Sequence, residues 1–541
     1  MKHYFTLLII ALSLCTQSCM FEDEYDDIIE IPDGATIISY TTTNNRAIDL
    51  SRSSLDNVLS NTYNNDMGKI VIAQTLVTIP EKAFYAMPTL QSITIPDTVS
   101  EIGDNAFAES SNLDTIYCYP AVPPKCGKNI FNGIGSNFKI YIYAAYINIY
   151  QVIDDWKAYI DAMLIDASLD ALSIGTPPAN EIWYISTNNK PVVPNEPNPN
   201  YLNVEGFGAN IISNTCVNHR GVIKFDDDVT QLGAFAFRGC ENLACISLPN
   251  NLKRIISNVF GGCTNLAAFS SRQFIIPEDR RSLITKQGEL FYFAPAGVKT
   301  YTIPSCVTAI IQGSFAGAKE LREVTIPYGV STIGDTVFAD CTSLKEVSVP
   351  NTLTSVGTHV FHGCSALETF KGDGASADGR CIVVNNAICA FAPVGITEYT
   401  TPQGVEAINE CVFEECGLTS ITISEGVHTI GLQAFAYSKN LKTVNLPNSL
   451  IIIEESAFNT CDSMESITIP SNVATIGFGA FTSENLKTVY CKATTPPTVE
   501  EYIFGEKNKA RSIYVPADSV EAYKAASGWS NYADEIVGYN F

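Results

Sequence analysis

"LREVTIPYGVSTIGDTVFADCTS" runs from Leu321 to Ser343, and its reading decides the fold. Val324 and Ile326 alternate with polar residues, the period of a short strand with one buried face. Pro327 ends that strand, because it has no N–H to extend a ladder. "VSTIG" (330–334) reads as a second extended piece, with Gly334 permitting the bend after it. "DTVFADC" (335–341) reads as a tight helical or turn segment that returns the chain. The unit recurs. Phe338 and Phe361 are 23 residues apart, as are Phe84 and Phe107, Phe237 and Phe260, Phe435 and Phe458, and Phe458 and Phe481. Eleven residues before Phe stands Pro at 96, 249, 304, 327, 350, 402, 447 and 470, and four before it stands Gly at 103, 233, 334, 357, 431 and 477.

One such coil cannot bury its Leu, Ile, Val and Phe alone, whereas stacked coils bury them in a continuous core. The position three after Phe holds Cys240, Cys263, Ala318, Cys341, Cys364, Cys416, Ser438 and Cys461. Small residues there mark an inward column in which Cys acts as a small hydrophobe. This bears on Cys341, His359, His362 and Cys364, four residue types that suit zinc. The two histidines occupy columns that accept very different residues, so they read as solvent-facing, away from the cysteines. No metal site is expected from this set.

The columns resemble the BspA-type (treponemal-type) leucine-rich repeats of bacterial surface proteins, over most of residues 70–117 and 222–491. The resemblance implies an elongated solenoid displayed on the cell, binding macromolecules, with adhesins among its relatives. It implies no shared catalytic residues. The expected fold is mainly β with short helical turns, a leucine-rich repeat solenoid in two capped arrays.

The 541-residue chain carries a formal net charge of −24. Such a surface repels nucleic acid and anionic lipid. Lys2 and His3 precede the apolar run "YFTLLIIALSLC", too short for a spanning helix and read as an export signal over 1–18. "TQSC" resembles the lipobox of bacterial lipoproteins, with Cys19 as the lipidated residue and Cys15 as the weaker choice. Residues 19–36 then form an acidic tether; "MFEDEYDDIIE", with six carboxylates, resembles the surface-export signal of Bacteroidetes lipoproteins. The expected location is the outer membrane, facing outward.

Residues 113–159 match 486–532 without a gap, so one closing segment is used twice. Leu113, Cys118, Tyr150 and Trp156 answer to Leu486, Cys491, Tyr523 and Trp529. "YTTTNNR" from Tyr40 likewise matches "YISTNNK" from Tyr184. The reading is a first module over 37–167 with both caps, a linker over 168–182, a second entrance cap over 183–221, a second array over 222–491 and an end cap over 492–541. Asp518 or Ser519 is the expected helix cap of the final segment. Two related variants, from Leu283 and from Cys381, interrupt the second array with an alternating strand before "FAP".

Chemistry is sparse. There is no G-x-S-x-G, H-E-x-x-H, P-loop or Rossmann glycine pattern. The acidic run at 226–228 lacks spaced calcium ligands. No cofactor or catalytic residue is expected, and most cysteines are expected as free buried thiols. The function read is non-catalytic binding through a solenoid face. Its candidate residues are Thr94, Ser247, Thr325, Ser348, Thr422, Asn445 and Thr468, each between two apolar strand positions, with Lys345 beside them. The partner class is an extracellular protein or glycan. The alternatives are a glycan-capture lipoprotein, which needs exposed aromatic platforms, and a structural surface spacer.

Overall fold

The computed structural model describes residue 32 and residues 34–64, 66–143, 146–166, 176–195, 206–256, 258–508 and 510–541. The leader, Cys19 and the acidic run lie outside the described residues. The coil from Leu321 closes through three ladders. Glu323–Thr325 pairs in parallel with Glu346–Ser348 of the next coil, placing Val324 opposite Val347. Thr332–Ile333 pairs with Ser355–Val356. At the third corner the amides of Thr336, Phe338 and Asp340 donate to the carbonyls of Thr358, Val360 and His362, at 2.9, 2.8 and 2.8 Å. The Pro327 carbonyl accepts from the Val330 amide and closes the turn between the two strands.

The third corner is a turn and not a helix. Thr336 and Asp340 are both left-handed, at φ 52° and 59°. The same two columns are left-handed at Asn105 and Glu109, at Cys411 and Glu415, at Gln433 and Tyr437, and at Ser456 and Thr460. Each such residue costs about 1 kcal/mol, offset by the intercoil hydrogen bonds the conformation aims. Gly334 serves the bend without a positive φ. A Cβ at Gly334 would lie 2.7 Å from the Gln312 backbone nitrogen, and one at Gly477 would lie 2.4 Å from that of Glu455. Close approach of successive coils excludes a side chain there.

The phenylalanines stack down the interior. Ring centroids are 5.3 Å apart for Phe338 and Phe361, and 4.9 Å for Phe413 and Phe435 and for Phe435 and Phe458. The column three after Phe is buried, as expected, and also donates. Cys341 Sγ reaches the Phe315 carbonyl at 3.2 Å, Cys364 Sγ that of Phe338 at 3.0 Å, and Ser438 Oγ that of Phe413 at 2.8 Å. A thiol is a weak donor, but it satisfies a carbonyl that the coil turn leaves inside the core.

The core is not continuous. Antiparallel hairpins, Ser282–Ile284 with Glu289–Phe293 and Cys381–Val384 with Ala387–Phe391, each start a new sheet. The hydrophobic interior divides at the same places. A strand that folds back antiparallel shields the last coil of one stack and offers a fresh edge to the next.

The ends are built the same way twice. Antiparallel strands Thr36–Thr42, Met67–Ile72 and Val58–Asn64 open the first array, and Glu181–Ser186, Arg220–Phe225 and Ile211–Val217 open the second. Tyr40 lies over Gly68 and Tyr184 over Gly221, so closely that a Cβ on either glycine would meet the ring at 2.1 or 1.9 Å. At the closing ends Trp156 Nε1 donates to Pro124 O at 2.7 Å and Trp529 Nε1 to Pro497 O at 2.8 Å. Both indoles are fully buried. Ser519 precedes the helix Val520–Ala525 but does not cap it; its hydroxyl donates to Thr494 O at 2.7 Å.

The strand Glu181–Ser186 begins inside the stretch read as a linker. The first closing segment packs on the start of the second array. Tyr146, Ile149 and Ile153 share one hydrophobic cluster with Ile185, Ala244, Cys245 and Ala268. Polar contacts fix the junction: Asp154 N donates to Thr187 O at 3.2 Å, and the buried His219 ring lies 3.3 Å from Asp155.

Candidate functional site

The outward residues of the first strand in each coil form rows across the stack. Thr302, Thr325, Ser348 and Lys371 are in register, as are Thr400, Thr422 and Asn445. Thr325, Asn445 and Thr468 are exposed, and Thr94, Ser348 and Thr422 are half-buried. Asn445 Nδ2 donates to Thr422 Oγ1 at 3.0 Å, which stiffens that row. Ser247 does not belong to an open face. It is 1% exposed, on the strand whose neighbours Ala244 and Cys245 pack with the first closing segment. Lys345 is exposed and lies 3.2 Å from Glu368, in the same place on the next coil. Lys487 and Glu465 repeat this at 3.3 Å. Such exposed pairs add little stability; they leave the face mixed in sign.

Two rows end in aromatic side chains. Thr468 is followed in register by Tyr490 and Tyr514, and Thr94 by Tyr117 and Tyr141. Tyr490 and Tyr514 stack at 5.1 Å, and Tyr117 and Tyr141 at 5.4 Å. Tyr539 and Phe541 extend the second set, with Tyr539 at 5.5 Å from Tyr514 and Phe541 at 5.1 Å from Tyr539. Both end residues are exposed. The signal for this patch lay in "LDTIYC" and "LKTVYC", where Tyr117 and Tyr490 occupy the small polar column. The column read from the sequence, Thr94 to Thr468, holds only small polar residues and leaves out these two tyrosines, each one coil further on.

The four zinc-type residues of the repeat are not gathered. The Cys341 and Cys364 thiols face inward to backbone carbonyls. His359 is half-buried, with Nε2 2.7 Å from Glu414 Oε2, and so does not point freely to solvent. Burial pushes the Cys118 and Cys461 thiols up to about 12, which suppresses the thiolate that nucleophilic chemistry needs. Asp226, in the acidic run, accepts from the Asn210 amide and side chain, each at 2.8 Å.

Parallel coils of this length, with Phe stacked inside and a left-handed residue on each side of it, are one repeat used throughout. A model of the BspA type leucine rich repeat region matches six copies, over residues 29–152, 209–279, 282–374 and 388–516. The chain belongs to the BspA-type leucine-rich repeat family. Among solved structures, the chain is similar to a leucine-rich cell surface protein from Faecalibacterium prausnitzii, at 18% identity over 90% of this chain and 87% of that one, TM-score 0.35. It is also similar to the pneumococcal vaccine antigen PcpA, at 17% identity over 60% of this chain and 87% of that one, TM-score 0.40. A leucine-rich repeat protein from Bacteroides ovatus shares 21% identity over 61% of this chain and 92% of that one, TM-score 0.30. No curated protein matches. Among the described residues no helix is long and apolar enough to cross a membrane.

Proposed function

We propose that this BspA-type repeat protein is a cell-surface lipoprotein, anchored through Cys19, that binds an extracellular macromolecule without turning it over. The observation that carries the reading is the set of outward rows. They present small hydroxyl and amide side chains on rigid parallel strands, flanked by charges of both signs. Such a surface gathers many modest contacts and needs little ordering on binding. A protein ligand fits the mixed charge and the flat rows. An array of host matrix proteins and glycans probed with the purified full chain tests this. Joint replacement of Thr325, Ser348 and Lys345 by Ala is expected to weaken binding while circular dichroism stays unchanged. Normal binding by that variant removes the central rows from the site.

A second reading rests on the aromatic rows. Sugar rings stack on exposed aromatic faces, and the exposed Tyr539 and Phe541, beside the half-buried Tyr490 and Tyr514, offer one such platform. If the ligand is a glycan, Tyr514→Ala and Tyr539→Ala lower affinity and the central triple variant does not.

A further inference from the structure

The second array is interrupted at two equivalent places, and their interiors differ. In each, a hairpin ending in Phe-Ala-Pro stands between two ordinary coils. At the first, the coils of Phe260 and Phe315 flank the hairpin. Tyr292 fills the space, its ring 5.1 Å from Phe260 and its hydroxyl accepting from the Val259 amide. About 10 Å³ stays open there. At the second, the coils of Phe361 and Phe413 flank the hairpin. Ala390 stands where Tyr292 does, and a recess of about 250 Å³ opens.

The residues that face the two gaps also differ. Two before each flanking Phe the first place has Asn258 and Gly313, and the second has His359 and Cys411. One after the second Phe it has Ala316, against Glu414. Both His359 and Cys411 are held left-handed, at φ 52° and 58°, by the corner geometry that every coil shares. A ring nitrogen of His359, Sγ of Cys411 and a carboxylate oxygen of Glu414 all lie within 4.8 Å of one another. The closest pair, His359 Nε2 and Glu414 Oε2, is 2.7 Å apart.

We propose that His359, Cys411 and Glu414 bind one divalent cation of the zinc class, which ties together the two stacks that the hairpin separates. Tetrahedral zinc, with bonds of about 2.0 Å to N and O and 2.3 Å to S, holds its ligand atoms roughly 3.3–3.7 Å apart. The three atoms reach that spacing through rotamer shifts of about 1 Å. An imidazole, a thiolate and a carboxylate select zinc and its neighbours over calcium or magnesium, which take oxygen ligands. On binding, the Cys411 thiol gives its proton to water. Glu410 and Glu415 line the same recess and make it attractive to a cation. The fourth position is left for water or for His362, whose ring centroid lies 5.8 Å from that of His359. The site serves as a clamp, since the parallel ladders of the two stacks stop at this hairpin.

The test uses tag-free full chain, stripped with chelator and titrated with Co²⁺. The expected result is a thiolate-to-cobalt charge-transfer band that saturates at one equivalent and is displaced by Zn²⁺. Cys411→Ser abolishes the band with circular dichroism unchanged. Cys389→Ser, which removes another thiol of the recess, retains it. His359→Ala and Glu414→Gln each weaken Zn²⁺ binding by more than the roughly 10–100-fold typical of an outer-shell partner. Zn²⁺ raises the Tm of the stripped protein and leaves that of Cys411→Ser where it was. Absence of the band at one equivalent, or its survival in Cys411→Ser, overturns the proposal. Should Cys411→Ser fail to fold, unchanged Zn²⁺ affinity in His359→Ala overturns it equally.

Discussion

Two single atoms tighten the stacking in many of the coils: a hydrogen in place of a Cβ at the glycine four before Phe, and a small polar atom three after it. Gly334→Ala places a methyl against the Gln312 backbone, where neither coil can retreat without breaking ladder bonds. Overpacking of this kind costs about 1–3 kcal/mol. Gly417→Ala is the control, because nothing lies within 4 Å of its Cβ and its φ is ordinary. Denaturant unfolding is expected to separate the two. At the other position Cys364→Ser keeps a donor to the Phe338 carbonyl, as Ser438 does for Phe413, and stays within about 1 kcal/mol of the parent. Cys364→Asp sets a buried carboxylate against the Phe338 carbonyl oxygen and is expected to lose the cooperative transition. Equal stability of the two Cys364 variants would falsify the inward assignment of this column.

At the scale of elements, the closing segments hold the arrays shut. Trp529 is fully buried and bonded to Pro497, so Trp529→Ala is expected to cost about 3–5 kcal/mol and to expose the last coils to protease first. The junction between the arrays has an acid limit. Burial works to raise the Asp155 carboxyl, but hydrogen bonds from His219 and the Cys126 amide, with the charges of His219 and Lys125, hold it below the usual carboxylate range. A lowered folded pKa means that its stabilisation is present above the unfolded value of ~3.9 and is lost as pH falls through the folded one. Asp155→Asn is therefore expected to flatten the acid limb of thermal stability. An unchanged limb places the acid sensitivity elsewhere. The coil, its strands, its Phe core and both pairs of caps were legible in the sequence, because a column repeated in many coils averages out local noise. The left-handed corner was not, since Thr336, His359, Cys411 and Gln433 share a backbone conformation and no side-chain chemistry. His359, Cys411 and Glu414 escaped for the same reason. Their two columns read as indifferent, and the hairpin that joins them shifts the register between 359 and 411. Ser247 misled because the strand pattern marks the outward face of a coil but not what later packs on it.

For the whole molecule, the question is what an acidic stack of coils with mixed-sign rows does at a surface. Its regular columns are consumed in building the core, and the positions left over among the described residues include the outward rows, the aromatic row ends and the recess at the second hairpin. The outward rows suit contact with a large ligand, and the proposed role is binding without turnover. Anchoring is the first requirement of that role: Cys19→Ala is expected to abolish lipid labelling and release the protein from membranes, while Cys15→Ala retains the label. The reverse pattern moves the processing site. Binding is the second. An extended face shares its energy among several contacts, so Thr325→Ala, Ser348→Ala and Lys345→Ala are each expected to weaken binding less than the three together, although hot spots make the shares unequal. The net charge of −24 adds a salt signature. A basic partner is expected to dissociate as ionic strength rises beyond ~0.15 M, where the Debye length falls to ~8 Å, whereas a glycan stacked on Tyr514 and Tyr539 is expected to stay bound. Titrating one ligand against salt, with the triple variant and the two tyrosine variants in parallel, assigns the contact to the central rows or to their aromatic ends. Measurable turnover of a peptide or glycan by the purified chain would remove the non-catalytic reading altogether.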